Sequence, residues 1–223
     1  MLSSMGLSKA ESIQKFERTA GVSLERTRLV LDNGVKSSSI GINNKNPTPM
    51  VVTAWVVDLE GKPTEKFVVS PAIFQLGGNN TGKTSVRLVE ELPKDRESVF
   101  WLKVNTAQAG ESKQNSLKVA IGNKIKIFYR PEGLDGDAKY AASNVIWRFN
   151  GDKITATNPT ALSVSVSDLC FDTETKRVAE MILPFTTKSW SVNKDALSSN
   201  KKSFIFVDEY GGFKEIPMTF KVK

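Results

Sequence analysis

Few side chains in this 223-residue chain could make or break bonds, and their types exclude more chemistry than they suggest. There is no histidine, which removes Ser-His-Asp and Cys-His catalysis and every zinc site with a histidine ligand. Cys170 is the one cysteine, so no internal disulfide forms. Its surroundings, Val166 to Phe171, read as a strand, where a cysteine is ordinarily a small buried hydrophobe. Asp95 and Glu97 are a carboxylate pair, but at i and i+2 of one strand nothing accompanies them to hold a substrate. Gly77 to Gly82 is a glycine-rich loop, yet Thr84 to Val89 after it reads as a strand and not as the helix that a phosphate cradle opens. The 31 Lys and Arg outnumber the 24 Asp and Glu, for a formal charge of +7. These charges are scattered and no Lys/Arg block is interleaved with aromatics, so no nucleic-acid partner is expected. A basic surface solubilises the chain and steers it toward acidic partners.

What remains is chemistry of association. From Asn115 to Pro131 the chain reads Asn-Ser-Leu-Lys-Val-Ala-Ile-Gly-Asn, then Lys-Ile-Lys-Ile-Phe-Tyr-Arg-Pro. Leu117, Val119 and Ile121 alternate with Lys118, Ala120 and Gly122, the period of a strand with one apolar face. The stretch ends in a cationic run, and Arg130-Pro131 falls near the middle of the chain. It is expected to be the last strand of a first domain, leading to a hinge. Lys126 has the opposite parity to the apolar triplet, and a bulge at Gly122-Asn123 would reset it.

The elements around this stretch predict an all-β protein. Residues 1–20 are Ser-rich and charged, lack the apolar centre of a secretory signal, and are expected to be a leader or added segment outside the fold. Strands are expected over Ser38–Asn43, Met50–Val57, Phe67–Ser70, Thr84–Val89 and Glu97–Val104. Asn44-Lys45-Asn46-Pro47-Thr48-Pro49 is a break with room for a cis proline. Asn105–Gln114 is expected to be a polar connection. Glu132–Asp137 is Gly- and acid-rich, as a domain entrance should be. The rhythm then repeats: Val145–Phe149 meets the hairpin signal Asn150-Gly151, and Asn158-Pro159-Thr160 echoes Asn46-Pro47-Thr48. Short strands with turns roughly every 8–12 residues predict a sandwich in each half, with domains over 21–131 and 132–223. No apolar run approaches the roughly 18 residues of a membrane span, so no membrane insertion is expected.

Three segments carry a resemblance: Leu24-Glu25-Arg26-Thr27-Arg28, Leu92-Pro93-Lys94-Asp95-Arg96-Glu97-Ser98, and Lys124-Ile125-Lys126-Ile127-Phe128-Tyr129-Arg130-Pro131. In order and spacing the chain resembles the periplasmic pilus (fimbrial) chaperones of the chaperone–usher pathway, PapD-like and of the short-loop class. The resemblance implies two immunoglobulin-like sandwiches in an L or boomerang. It implies that Arg28 and Lys126 bind the C-terminal carboxylate of a pilus subunit. Leu117, Val119 and Ile121 would be lent to the subunit as its missing strand, and Glu97, Arg130 and Glu209 would form an interdomain charge network, with Asp208 competing for the last place. It further implies a periplasmic location, delivery to an outer-membrane usher, no catalysis, no metal or other cofactor, and a self-capping homodimer as one state of the free protein. The alternative is an immunoglobulin-like surface, adhesion or pilus structural module, which would keep its edge strand self-paired and carry no cleft cations.

Overall fold

The computed structural model describes residues 21–110, 120–150, 152–172 and 174–220. The first half is built from β1 (Val22–Leu24), β2 (Arg28–Leu31), β3 (Ser37–Asn44), β4 (Met50–Val57), β5 (Phe67–Ser70), β6 (Ile73–Leu76), β7 (Thr81–Leu88), β8 (Ser98–Gln108) and β9 (Ile121–Tyr129). They form a four-stranded sheet in the order β1-β3-β7-β5 and a five-stranded sheet in the order β2-β9-β8-β4-β6. Alternation along β4 and β8 turns Val52, Ala54, Val56, Phe100, Leu102 and Val104 inward, where they meet Ile40, Ile42 and Val86 of the other sheet.

The second half contains α1 (Ala138–Ser143), β10 (Ile146–Asn150), β11 (Lys153–Thr157), β12 (Val164–Phe171), β13 (Thr175–Ile182), β14 (Thr187–Ser191), α2 (Lys194–Ser198), β15 (Lys202–Val207), β16 (Phe213–Pro217) and β17 (Thr219–Phe220). Its sheets run β14-β11-β10-β17 and β13-β12-β15-β16. They close on a separate core in which Trp147 lies between Trp190 and Phe204. Each half is an immunoglobulin-like sandwich with its own core, as the turn rhythm predicts. Cys170 is buried on β12.

Four expectations change. Asn105–Gln108 is not part of a connection: β8 continues to Gln108, paired with β4 on one side, and with β9 on the other as far as Thr106. A polar run holds as strand where neighbours on both flanks satisfy its backbone. The ladder between β8 and β9 is regular from Ser98↔Tyr129 to Thr106↔Ile121, with no bulge at Gly122-Asn123. The cis peptide bond lies at Ser70-Pro71 and not in Asn44–Pro49. Asp95 and Glu97 precede β8 and part company, Asp95 pairing with its neighbour Arg96 at the surface.

The glycine-rich loop proves to be packing. Gly77 to Thr84 has the spacing of a phosphate-binding loop, with Lys83-Thr84 after Gly82, but it joins two strands and opens no helix. A Cβ on Gly78 would stand 2.0 Å from the Pro47 carbonyl oxygen, and Thr84 spends its hydroxyl on Pro71 O at 2.8 Å.

The repeated Asn-Pro-Thr has a structural counterpart, shifted by two residues. Asn158 is fully buried and donates from Nδ2 to Leu162 O, Ile182 O and Leu183 O, while Oδ1 accepts from Thr160 N. In the first half the same work falls to Asn44 and not Asn46: Nδ2 donates to Thr48 O, Leu76 O and Gly77 O, and Oδ1 accepts from Asn46 N. Each asparagine ties a strand end to the loop beside it. Asn158→Ala should therefore lower unfolding free energy by about 2–3 kcal/mol in urea titration, because it strands buried carbonyls. Asn46→Ala should cost less than about 1 kcal/mol. Equal effects would show that the buried carboxamide is not the tie.

Candidate functional site

The two sandwiches meet at a cleft whose floor is made by β2 and β9. These strands pair in parallel, and the register sets Arg28 beside Lys126 on one face. The opposite face of β9 carries Ile125 and Ile127 into the core. With a regular ladder, Ile121 belongs to that inward face and Lys126 to the outward one. The difference in parity is thus kept, and the strand uses both sides. Ile121 opens β9 and is 47% exposed. Leu117 and Val119 lie outside the described residues. β2 joins β9 only from Lys126 onward, so among the described residues 121–125 have β8 on one flank and an open edge on the other.

Both cations reach across to the second sandwich. Arg28 Nη1 donates to Val207 O at the end of β15 (3.2 Å), and its guanidinium lies 5.7 Å from the Phe128 ring. Its Nε is buried and has no hydrogen-bond partner among the described residues. Lys126 Nζ donates to Ser165 Oγ on β12 at 3.1 Å. Neither cation has a carboxylate partner among the described residues. Burial lowers the Arg28 guanidinium from its ordinary value, against the pull of Asp208, Glu209 and Glu97. Burial, with Arg28 and Lys124 adding repulsion, lowers Lys126 to about 8. Two partly desolvated positive groups set side by side, with the buried Arg28 Nε unused, have the chemistry that a carboxylate accepts from.

Beneath the cleft lies a buried ion network. Arg130, 5% exposed, donates from Nε to Glu97 Oε2 at 2.7 Å and from Nη2 to Glu209 Oε1 at 2.9 Å. Glu97, 3% exposed, takes a further bond from Ser163 N at 2.9 Å. Glu209 also accepts from Ala138 N at 2.5 Å, the first residue of α1. Glu209 is the residue paired with Arg130. Asp208 caps its own hairpin, accepting from Tyr210 N and Gly212 N. That hairpin sits tight against the first sandwich, since a Cβ on Gly211 (φ +89°) would stand 2.2 Å from Thr27 Oγ1. Burial pushes the Glu97 carboxyl up and Arg130 opposes it, while Glu97 and Glu209 outweigh burial to hold Arg130 above its ordinary value.

The structure thus brings together Arg28 with Lys126, and Glu97 with Arg130 and Glu209. Sequence reasoning missed Ser165, Val207 O and the Lys124–Trp101 contact (3.9 Å). The first two carry no sequence signal, being a hydroxyl and a carbonyl. The third was legible as alternation, since Trp101 and Lys124 both fall on outward positions.

Comparison with known proteins places these two sandwiches and their cationic cleft in a class of assembly chaperones. Residues 21–135 match the family described as "Pili and flagellar-assembly chaperone, PapD N-terminal domain", and residues 140–217 match "Pili assembly chaperone PapD, C-terminal domain". The chain belongs to the PapD family of pilus-assembly chaperones. It is 28% identical over 201 residues to the probable fimbrial chaperone LpfB of Escherichia coli O157:H7, covering 88% of this chain and 87% of the relative. The crystal structure of the E. coli chaperone DraB superposes with a TM-score of 0.79 at 25% identity, covering 92% of this chain and 98% of DraB. That of the YadV chaperone gives 0.74 at 28%, covering 87% and 97%.

The depressed Lys126 has a readable consequence. Below pH about 8 the folded state carries the full cost of a buried ammonium; the cost is relieved as pH rises from there toward the unfolded value of 10.5. Stability of the wild type relative to Lys126→Met should therefore rise between pH 7 and 10, read from urea midpoints. A flat or falling difference would mean that Lys126 is not desolvated.

Proposed function

We propose that this chain is a non-enzymatic periplasmic chaperone that captures pilus subunits, completes their fold by lending them a strand, and passes them to an outer-membrane usher. The carrying observation is the position of Arg28 and Lys126, side by side where the open edge of β9 meets the start of β2. A subunit strand laid along 121–125 would bring its terminal carboxylate to these two cations. Leu117, Val119 and Ile121 would fill the subunit's open groove, at roughly 1.5–3 kcal/mol gross per buried aliphatic side chain. New backbone bonds would add about 1 kcal/mol net each. Carboxylate capture fixes register, because a slip by one residue would turn the apolar set away.

In this reading the first domain spans 21–131 and the second 132–223; the leader expected over 1–20 lies outside the described residues. Glu97, Arg130 and Glu209 set the angle between the domains, and no cofactor takes part. The free protein would protect its open edge as a self-capped homodimer. A surface or adhesion module would need that edge self-paired, and the outer edge of 121–125, open among the described residues, argues against it.

Arg28→Ala and Lys126→Ala should each weaken recovery of a co-expressed pilus subunit by at least about 30-fold while the chaperone keeps its circular dichroism spectrum. Wild-type capture should also weaken above pH about 8, as the Lys126 ammonium of the free protein loses the proton a carboxylate needs. Undiminished recovery by both variants would remove the carboxylate anchor.

A further inference from the structure

The outward face of the five-stranded sheet can be mapped row by row from its registers. One row crosses Arg28, Lys126, Trp101 and Val57. The next crosses Lys124, Lys103 and Trp55, and the one after it Gly122, Asn105, Thr53 and Ile73. Four cations and two tryptophans stand together, and none of the positions in these rows is Asp or Glu. Lys103, Lys124 and Lys126 form no ion pair among the described residues. Lys124 Nζ lies 3.9 Å from the Trp101 ring centroid and Lys126 Nζ 5.6 Å.

Like charges directly opposite one another destabilise a sheet, and here two adjacent rows, Arg28–Lys126 and Lys103–Lys124, do this with no acid in the rows themselves, Asp208, Glu209 and Glu97 acting on Arg28 from outside the sheet. Local rules broken at one place mark a functional surface. The patch is continuous with the open edge of β9, and Lys124 is exposed. Any strand added to that edge continues the alternation of the sheet, so every second side chain of the newcomer emerges on this face, in line with Lys124.

We propose that Lys103 and Lys124, with Trp101 as their aromatic backing, form a second recognition surface that receives acidic side chains on the outward side of the captured subunit's terminal strand. This rests on the strand-lending reading above and extends it from the subunit's end to its sequence. The Trp101 ring holds the Lys124 ammonium over its face by cation–π attraction, so the charge is placed before the partner arrives. Arg28 and Lys126 then bind the chain end, while Lys124 and Lys103 select among chains.

The test uses the full chain and three labelled synthetic peptides with a free C-terminal carboxylate, in which valine alternates with Glu, Gln or Lys. Fluorescence anisotropy at low salt should rank Glu above Gln above Lys, each step about fivefold, as expected for one or two partly exposed charge pairs. The ranking should collapse near 1 M salt, where the screening length is about 3 Å. In the double variant Lys103→Gln/Lys124→Gln the Glu-to-Gln ratio should fall to about one, with folding checked by circular dichroism. If the peptides bind alike, or the preference survives the double substitution, this surface is wrong and strand lending stands. If none binds, strand lending fails and this surface falls with it.

Discussion

Arg130 is a charge that cannot remain buried alone. Leaving such an ion unpaired costs about 3–5 kcal/mol, whereas a complete buried network adds little over apolar packing. Its value is therefore in specifying an arrangement. Glu97 enters from the loop before β8 and Glu209 from the β15–β16 hairpin, so the guanidinium is satisfied only when the two sandwiches are docked in one way. Across the same junction Glu97 N donates to Ala161 O, and Ser163 N donates to the Glu97 carboxylate. The docking in turn brings Ser165 and Val207 within reach of Lys126 and Arg28.

On that frame β9 works as a two-sided strand. Its inward residues, Ile125 and Ile127, belong to the core of their own sandwich, and Ile121 continues the same face beyond the packed region. Its outward residues carry the cations. A regular ladder is what permits this, because a bulge would have put the apolar ribbon and the lysines on one side and left neither with a clean surface. Gly122 lets the ladder stay regular beside Asn105, whose Oδ1 would stand 2.8 Å from an added Cβ.

Much of this was legible in the sequence, for reasons that differ by element. Alternation in Met50–Val57 and Ser98–Val104 marks the central strands, since both have one face in the core. The positions of Arg28, Glu97, Lys126 and Arg130 were legible as members of ordered motifs, and the choice of Glu209 over Asp208 needed the hairpin geometry. The strand over Asn105–Gln108 was hidden because its stability lies in its neighbours' backbones and not in its own side chains. Helix α1 was missed although Asp137 accepts from Tyr140 N as an N-cap should; six residues with three buried alanines give too short a period to read. The shift from Asn46 to Asn44 was equally hidden, because burial and not the local triplet decides which asparagine ties the loop.

The parallel pairing of β2 with β9 has a last consequence. A polypeptide entering along 121–125 in the same direction as β2 meets the first residue of β2 head-on, for the lane beyond Lys126 is already taken. A loop or an interior segment would have to turn out of the sheet at that point, with its backbone unpaired, whereas a chain that stops there fits. Strand β2 is thus a buffer at the end of a track: beside β9 it leaves room for a chain end and none for a chain that runs on.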